Sequence, residues 1–426
     1  MTLRRGRARS RGIHLIEWMV VIVLVSVVMA VVVAVLNRSR EKQRLLLCQN
    51  NLRNVVLSYL GYNNNKQLLP PSGVFAEDEI TLENLKRGNT DPSLSVVPSY
   101  FPGATGAPRG VPMSSWVVAV LPYLDHWDLC DSWTMEADGK AVAFHDATSR
   151  VPGQPSNLQI GETEIAVLRC PDDPTALANR GNLSYVVNGG FALWHADPVG
   201  WVGGATDGTP APTAKPLAWS ATPSDWTKTV EVTRRLGVMF IETRFPEGSH
   251  PEVTIPWNIH AGLNDVADGQ AQTLLVSENT LAGASAKPSR YSAGLPTNWA
   301  TPLPNFTSFF GPSDVCGNGK FPSSLDCTSG GLAANGAGDG PGWAFANKGG
   351  TYTNINFGQY LTIEGSFPFT NSAHSGGFNA GFCDGAVRFV SSSIDGTVYS
   401  KLITPAGEKL PIHCKQLPFD AKEIYD

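Results

Sequence analysis

The chain is poor in charge. Only 16% of its 426 residues are Asp, Glu, Lys or Arg, and the net charge is −5. Soluble globular chains carry ~25% charged residues. A sparse, net acidic surface cannot neutralise a phosphate backbone, which excludes nucleic acid as the main partner. Long hydrophobic runs are scarce as well. One lies near the start and none follows, and a mean hydropathy of −0.09 excludes a multi-span transporter. There is no Cys-x-x-Cys, so thioredoxin chemistry and zinc ribbons are disfavoured. Gly-x-Ser-x-Gly, Walker, His-Glu-x-x-His and His-x3-His patterns are all missing, and the chain reads as a non-enzyme. No repeat of fixed period occurs, and no collagen period.

What is present is a loop-rich folded chain, with 43 Gly, 31 Pro and 42% hydrophobic residues. Its length suits two to three domains or one elaborated domain. Charge divides it unevenly. The first twelve residues hold Arg4, Arg5, Arg7, Arg9 and Arg11 and no acid, so the remainder is more acidic than the whole.

Residues 18–36 form an apolar run whose single polar member is Ser26. As a helix it spans ~28 Å, close to the ~30 Å hydrocarbon core of a bilayer. So Val-rich a segment makes a poor helix in water, but lipid forces the backbone to satisfy itself. Arg38, Arg40, Lys42 and Arg44 end the run. A cleaved secretory signal has a shorter apolar core and a small-x-small site after it. A plain single-pass anchor leaves Gly12 and Glu17 unexplained. A carboxylate costs ~2.5 kcal/mol or more at the centre of a span and less near its end, so Glu17 is either paired or snorkelling. Basic residues on both sides of the run leave the positive-inside rule undecided.

The segment Gly12-Ile13-His14-Leu15-Ile16-Glu17 resembles the type IV prepilin and pseudopilin signature, with Ile13 and His14 in place of the usual Phe and Thr or Ser. The resemblance implies that residues 1–12 are a leader removed by a prepilin peptidase between Gly12 and Ile13. It also implies N-methylation of Ile13, and a Glu17 that pairs with the terminal amine of a neighbouring pseudopilin subunit. The implied location is the cytoplasmic (inner) membrane, single-pass, with the C-terminal domain extracytoplasmic. The partners implied are the peptidase, other pseudopilin subunits and the lipid bilayer.

Beyond the run, Leu45, Cys48, Leu52, Val55, Val56, Tyr59 and Leu60 recur at helical spacing as one apolar stripe. The long helix is therefore expected over residues 13–65. Asn63, Asn64 and Asn65 end it, and Pro70-Pro71 bars its return. Residues 66–426 are expected to form an α+β domain. Its better apolar segments, 119–124, 165–168, 183–187, 230–241 and 272–278, read as strands of an antiparallel sheet. Stretches at about 198–220 and 301–342 read as large loop insertions.

Near the end, residues 378–383 and 386–390 read as two strands joined by Asp384-Gly385, a type I′ hairpin signal. His374, nine residues, then Asp384-Gly385 matches the H-x9-DG motif of a large bacterial prepilin-start family, the domain of unknown function numbered 1559. Segments resembling the same family lie in order along the chain. They are Cys48 to Arg53, Leu69-Pro70-Pro71, Ser115-Trp116 with Leu121 to Leu124, and Cys170-Pro171-Asp172-Asp173 with Ser184-Tyr185 and Asn188-Gly189. Asp268-Gly269 with Thr273 and Glu278 completes the series. The resemblance implies a pilin-like fold, with the long helix packed on an antiparallel sheet. It further implies a structural or assembly subunit of a type II secretion or type IV pilus-like system. His374 and Asp384 read first as parts of the hairpin and second as metal ligands. Asp and carbonyls at a Gly-rich turn suit Ca²⁺, and His suits a transition metal. One His and one Asp are too few ligands, so no cofactor is assigned and Ca²⁺ stays open.

Seven cysteines are present. In an exported domain they favour bridges. Cys316 and Cys327, which enclose a short loop, are the best candidate pair, worth ~3 kcal/mol on the chain-entropy model. Cys48 and Cys383 are the hardest to assign. The alternative function is a membrane-anchored extracytoplasmic binding module or exoenzyme for surface polysaccharide. It rests on Trp194, Trp201, Trp219 and Trp226 near a Pro-rich stretch.

Overall fold

A computed structural model describes residues 15–91, 94–101, 104, 106–191, 201–202, 205–206, 226–245, 255, 257–280, 282–284, 292–311, 339, 341–350, 353–360, 367–410 and 414–419. The fold is α+β. It divides into two compact units, Met1–Leu47 and Cys48–Asp426.

In the first unit lies the apolar part of helix α1, which as a whole runs Leu15–Lys66. It is long and apolar enough to cross a membrane, and none of its most apolar window is buried. Ile16, Leu24 and Val35 are all more than half exposed. Ser26, the one polar residue of the 18–36 run, donates to Ile22 O at 2.7 Å, the i−4 bond open to a helical hydroxyl.

In the second unit the remainder of α1 carries the apolar stripe. Cys48, Leu52, Val55, Val56 and Tyr59 are fully buried, while Arg53, Asn54 and Leu57 between them face out. The helix passes through the three Asn residues and stops at Lys66, just before Gln67 turns left-handed. Strand β1 (Gly73–Ala76) and helix α2 (Glu79–Lys86) follow. Strand β2 (Val111–Ser115) leads into α3 (Trp116–Val120). After them come α4 (Trp127–Ser132), a small β3–β4 hairpin (Glu136–Ala137, Lys140–Ala141) and α5 (Asn157–Gly161). Then follow β5 (Tyr185–Phe191), a second small hairpin of β6 (Trp201–Val202) and β7 (Ala205–Thr206), and α6 (Trp226–Leu236). The chain ends with β8 (Glu242–Arg244), β9 (Leu274–Glu278), α7 (Pro304–Thr307), β10 (Ser308–Gly311), the β11–β12 hairpin (Gly377–Phe382, Val387–Ser391) and α8 (Gly396–Ile403).

The main sheet has five strands in the order β10-β5-β9-β11-β12. It is antiparallel except at one edge, where β10 runs parallel to β5. The α1 stripe packs on it. Val56 lies over Gly381, where an added Cβ would meet Val56 Cγ2 at 2.2 Å. Gln49 Nε2 donates to Asn379 Oδ1 at 3.1 Å, and Tyr185 Oη donates to Cys48 O at 3.2 Å. The Trp116 ring packs against Tyr59 at 5.2 Å, tilted by 45°. A three-stranded sheet, β2-β1-β8, covers a second core that includes Phe75, Leu85, Tyr100, Trp257 and Phe367.

Four expectations need correction. Residues 166–168 form a 3-10 turn, not a strand, with Leu168 N–H bonding back to Ile165 O at 3.0 Å. Residues 119–124 are helical, because Ser115 caps α3 by accepting the Val117 N–H and a 3-10 turn continues to Leu124. Most of the 230–241 segment is also helical: Val232, Thr233 and Leu236 are buried at three- and four-residue spacing, which outweighs its β-branched composition. The stretch from residue 301 begins as core, with β10 buried throughout, rather than as an insertion. Residues 312–338, and most of 198–220, lie outside the described residues.

The hairpin forms where expected but with a different turn. Gly385 N–H donates to Phe382 O at 3.0 Å, and only Gly385, at φ +91°, is left-handed. The result is a longer loop in which a single Gly supplies the positive φ.

Two predictions follow from the packing. Gly381→Leu should destabilise the chain by about 1–3 kcal/mol in urea unfolding, because Val56 on a packed helix cannot withdraw. Gly349→Ala, at a site with open space, should be neutral. Glu77 is buried and accepts from Ser95 Oγ at 2.7 Å, Val96 N at 2.8 Å and Trp257 Nε1 at 3.1 Å. Burial still wins over these donors and pushes its carboxyl up to about 7. Its folded value is raised, so its contribution is complete below the unfolded value and is lost as pH rises through about 7. The urea midpoint should therefore fall between pH 5 and 8 by more in the native chain than in Glu77→Gln.

Candidate functional site

Five residues from four separate parts of the chain meet at the junction of α1, β9 and the segment before β11. Cys48 enters from the buried stripe of α1. Cys170 enters from the loop after the 3-10 turn Ala166–Leu168, which Asn51 ties to the helix by donating to Arg169 O at 2.8 Å. The two cysteines form a disulfide, with Cα atoms 4.8 Å apart. Pro171 then turns the chain, and Asp173 N–H closes the turn on Cys170 O at 2.9 Å.

The two adjacent carboxylates part company here. Asp173 points inward and accepts from Ser184 Oγ at 2.6 Å and from Thr175 N and Oγ1 at 2.9 and 2.7 Å. Burial outweighs these bonds and pushes it up to about 6. Asp172 turns toward His374, with Oδ2 3.4 Å from Nδ1.

Glu278 closes strand β9 opposite Tyr185 of β5. Only 2% of it is exposed, so its charge needs donors from the protein. Oε2 accepts from Asn379 N at 2.8 Å and Ser372 Oγ at 2.7 Å, and Oε1 accepts from Asn379 Nδ2 at 2.9 Å. His374 Nε2 lies 3.2 Å from Oε1 and 3.6 Å from Cys170 Sγ. Desolvation pulls the imidazole down, but the bond to Glu278, the Glu278 charge and the Asp172 charge together leave its pKa raised. Ser372 Oγ also accepts the His374 N–H at 3.2 Å, so one hydroxyl positions both partners.

The sequence candidates are distributed otherwise than the motif alone implies. His374 and Asp384 sit at opposite ends of β11 and share no ligand position. Asp384 serves the turn, accepting Ala386 N–H at 2.9 Å and pairing with Arg388 at 3.3 Å. Arg388 in turn donates to Ala271 O at 2.6 Å and covers the Phe382 ring. His374, expected as part of the hairpin's start, reaches instead to Glu278 and Asp172. Gly12, Ile13, Cys316 and Cys327 lie outside the described residues, as do Trp194 and Trp219, and nothing is described of the Glu17 side chain. Trp201 opens β6 and Trp226 opens α6.

Sequence reasoning missed the Cys48–Cys170 bond and the place of Glu278 beside His374. The α1 stripe placed Cys48 in the core, but burial alone does not separate a bonded cysteine from a free one. Cys130, Cys383 and Cys414 are unbonded among the described residues. Burial pushes the Cys383 thiol well up, which suits an inert core thiol. The Cys48–Cys170 bridge spans 122 residues of sequence. Replacing both cysteines with Ser should lower unfolding free energy by about 3–5 kcal/mol relative to the oxidised chain, read from urea midpoints.

No curated protein and no solved structure matches the chain. Residues 37–397, which contain every member of this cluster, match the model of the family described as "Protein of unknown function (DUF1559)", and the chain belongs to that family.

Proposed function

We propose that the protein is a pseudopilin-like, single-pass membrane subunit, matured by a prepilin peptidase and held in the cytoplasmic membrane with its α+β domain outside. The observation that carries this reading is the placement of Gly12 and Glu17 immediately before the one apolar run. That run lies in a helix whose later part is built into a folded domain.

The physical roles follow from that placement. Cleavage after Gly12 removes the basic leader and creates a new amine at Ile13. Glu17 then lies one helical turn beyond that amine, at the edge of the apolar segment. A carboxylate there is costly in lipid and is offset by a cation at the same depth. The nearest cation of that kind is the terminal amine of a second copy, which makes Glu17 an assembly contact. The exposed apolar surface of residues 18–36 is covered by lipid before assembly and by like helices after it. The acidic domain needs no catalytic group in this role.

Intact-mass measurement on the membrane-extracted chain tests the reading. The expected species begins at Ile13 and carries one added methyl group. A chain that retains Met1–Gly12 in cells with an active prepilin peptidase overturns it. In Glu17→Ala, cleavage should persist while chemical crosslinking between copies drops several-fold.

A further inference from the structure

The cysteines, Glu278 and His374 form more than a covalent staple with neighbours. Cys48 Sγ, Cys170 Sγ, one imidazole nitrogen of His374 and one carboxylate oxygen of Glu278 all lie within 4.8 Å of one another, and all four residues are buried. In a tetrahedral zinc site, metal–sulfur bonds of ~2.3 Å and metal–nitrogen or –oxygen bonds of ~2.0 Å put neighbouring ligand atoms ~3.3–3.7 Å apart. Two edges of that figure already exist: Cys170 Sγ to His374 Nε2 at 3.6 Å, and His374 Nε2 to Glu278 Oε1 at 3.2 Å.

The surroundings match the outer shell such a site needs. Asp172 faces His374 Nδ1 at 3.4 Å and so directs Nε2 toward the cluster. Ser372 Oγ and Asn379 N hold Glu278 Oε2, which turns Oε1 inward. His374 Nε2 now faces Glu278 Oε1, across the place a cation would occupy.

We propose that Cys48, Cys170, Glu278 and His374 form a thiol-gated site for one tetrahedral cation of the zinc class, closed by the disulfide when oxidised and loaded when reduced. The chemistry balances with a dithiol as reductant. It supplies two electrons and two protons, the Cys48–Cys170 bond breaks to two thiols, and the dithiol closes to its own disulfide. Metal binding then displaces both thiol protons and the Nε2 proton to solvent, leaving two thiolates, one carboxylate and one neutral imidazole as ligands. Two sulfurs and one imidazole select zinc over Ca²⁺ or Mg²⁺, which take oxygen ligands in larger number. The site thus differs from one built on His374 and Asp384, and it does not depend on how the leader is processed.

The test uses the full chain in detergent micelles with Co²⁺ as the spectroscopic probe. After reduction by a dithiol and its removal without oxygen, the chain should bind one Co²⁺ with thiolate-to-metal charge transfer and the intense visible bands of a tetrahedral site. Zn²⁺ should displace it. The oxidised chain should show neither signal. His374→Ala and Glu278→Gln, checked as folded by near-ultraviolet circular dichroism while still oxidised, should weaken Co²⁺ binding 10–100-fold. Should reduction alone melt the domain, Co²⁺ is expected to restore its near-ultraviolet signal. The proposal is overturned if the reduced chain binds no Co²⁺. It is equally overturned if Cys48→Ser/Cys170→Ser keeps the charge-transfer band, or if a reduced, melted domain stays melted with metal present.

Discussion

A carboxylate with 2% exposure sets the terms for the centre of this protein. Glu278 has no access to bulk water, so its oxygens must be met by donors fixed in the fold. The donors come from Asn379 on the neighbouring strand, from Ser372 at the approach to that strand, and from His374. Each can reach only if β11 lies beside β9 in one register, with Ala380 opposite Ser277. A one-residue slip would send Asn379 to the other face of the sheet and strand the charge. The polar centre thereby specifies the pairing of the two central strands, which an alternation of small and apolar residues along Gly377–Phe382 specifies only weakly.

The same centre fastens the helix. Asn379 gives its amide hydrogens to Glu278 and accepts from Gln49 with its oxygen, so the satisfied carboxylate and the α1 surface share one side chain. Gly381 lies two residues beyond Asn379, and Val56 of α1 fills the space its missing side chain leaves. Gly381 is therefore small because a helix must approach, a different reason from that of Gly385, which supplies a left-handed turn. The Cys48–Cys170 bond adds a covalent tie to the same patch. Apolar contact, hydrogen bond and disulfide all act on one short stretch of α1, and this concentration resists shear of helix over sheet better than the same contacts spread along it.

Much of this architecture is legible in the sequence, and the parts that are not share a cause. The α1 stripe reads directly because Cys48, Leu52, Val55, Val56 and Tyr59 repeat at the helical period, and all are buried. The hairpin reads because Asp384-Gly385 is local chemistry. The helix at Trp226–Leu236 is hidden because Val230, Val232 and Thr233 carry strand propensity, whereas the burial that decides is set by distant partners. Glu278 with His374, and Cys48 with Cys170, are hidden for the stronger reason that their partners lie far apart along the chain. Periodicity reports which face a residue occupies and not what lies opposite. The ordered motifs named the participants Cys48, Cys170, Asp172, Glu278 and His374 without assigning them to one another, and the H-x9-DG spacing joined His374 to the wrong aspartate.

The few charges of the chain are placed unevenly along α1. Helix α1 runs Leu15–Lys66 and changes character along its length. From Trp18 to Leu36 its exposed surface is apolar but for Ser26, long and apolar enough to cross a bilayer. From Cys48 it is apolar along one stripe and polar elsewhere, the pattern of a helix between a core and water. Arg38, Arg40, Lys42 and Arg44 occupy the interval, where basic side chains can reach headgroups. Charge is as sparse in residues 66–426 as in the whole chain, but residues 18–36 hold none and four basic residues cluster just beyond them. Inside the domain it is buried at points such as Glu77, Asp173 and Glu278, each of which the protein must answer with named donors.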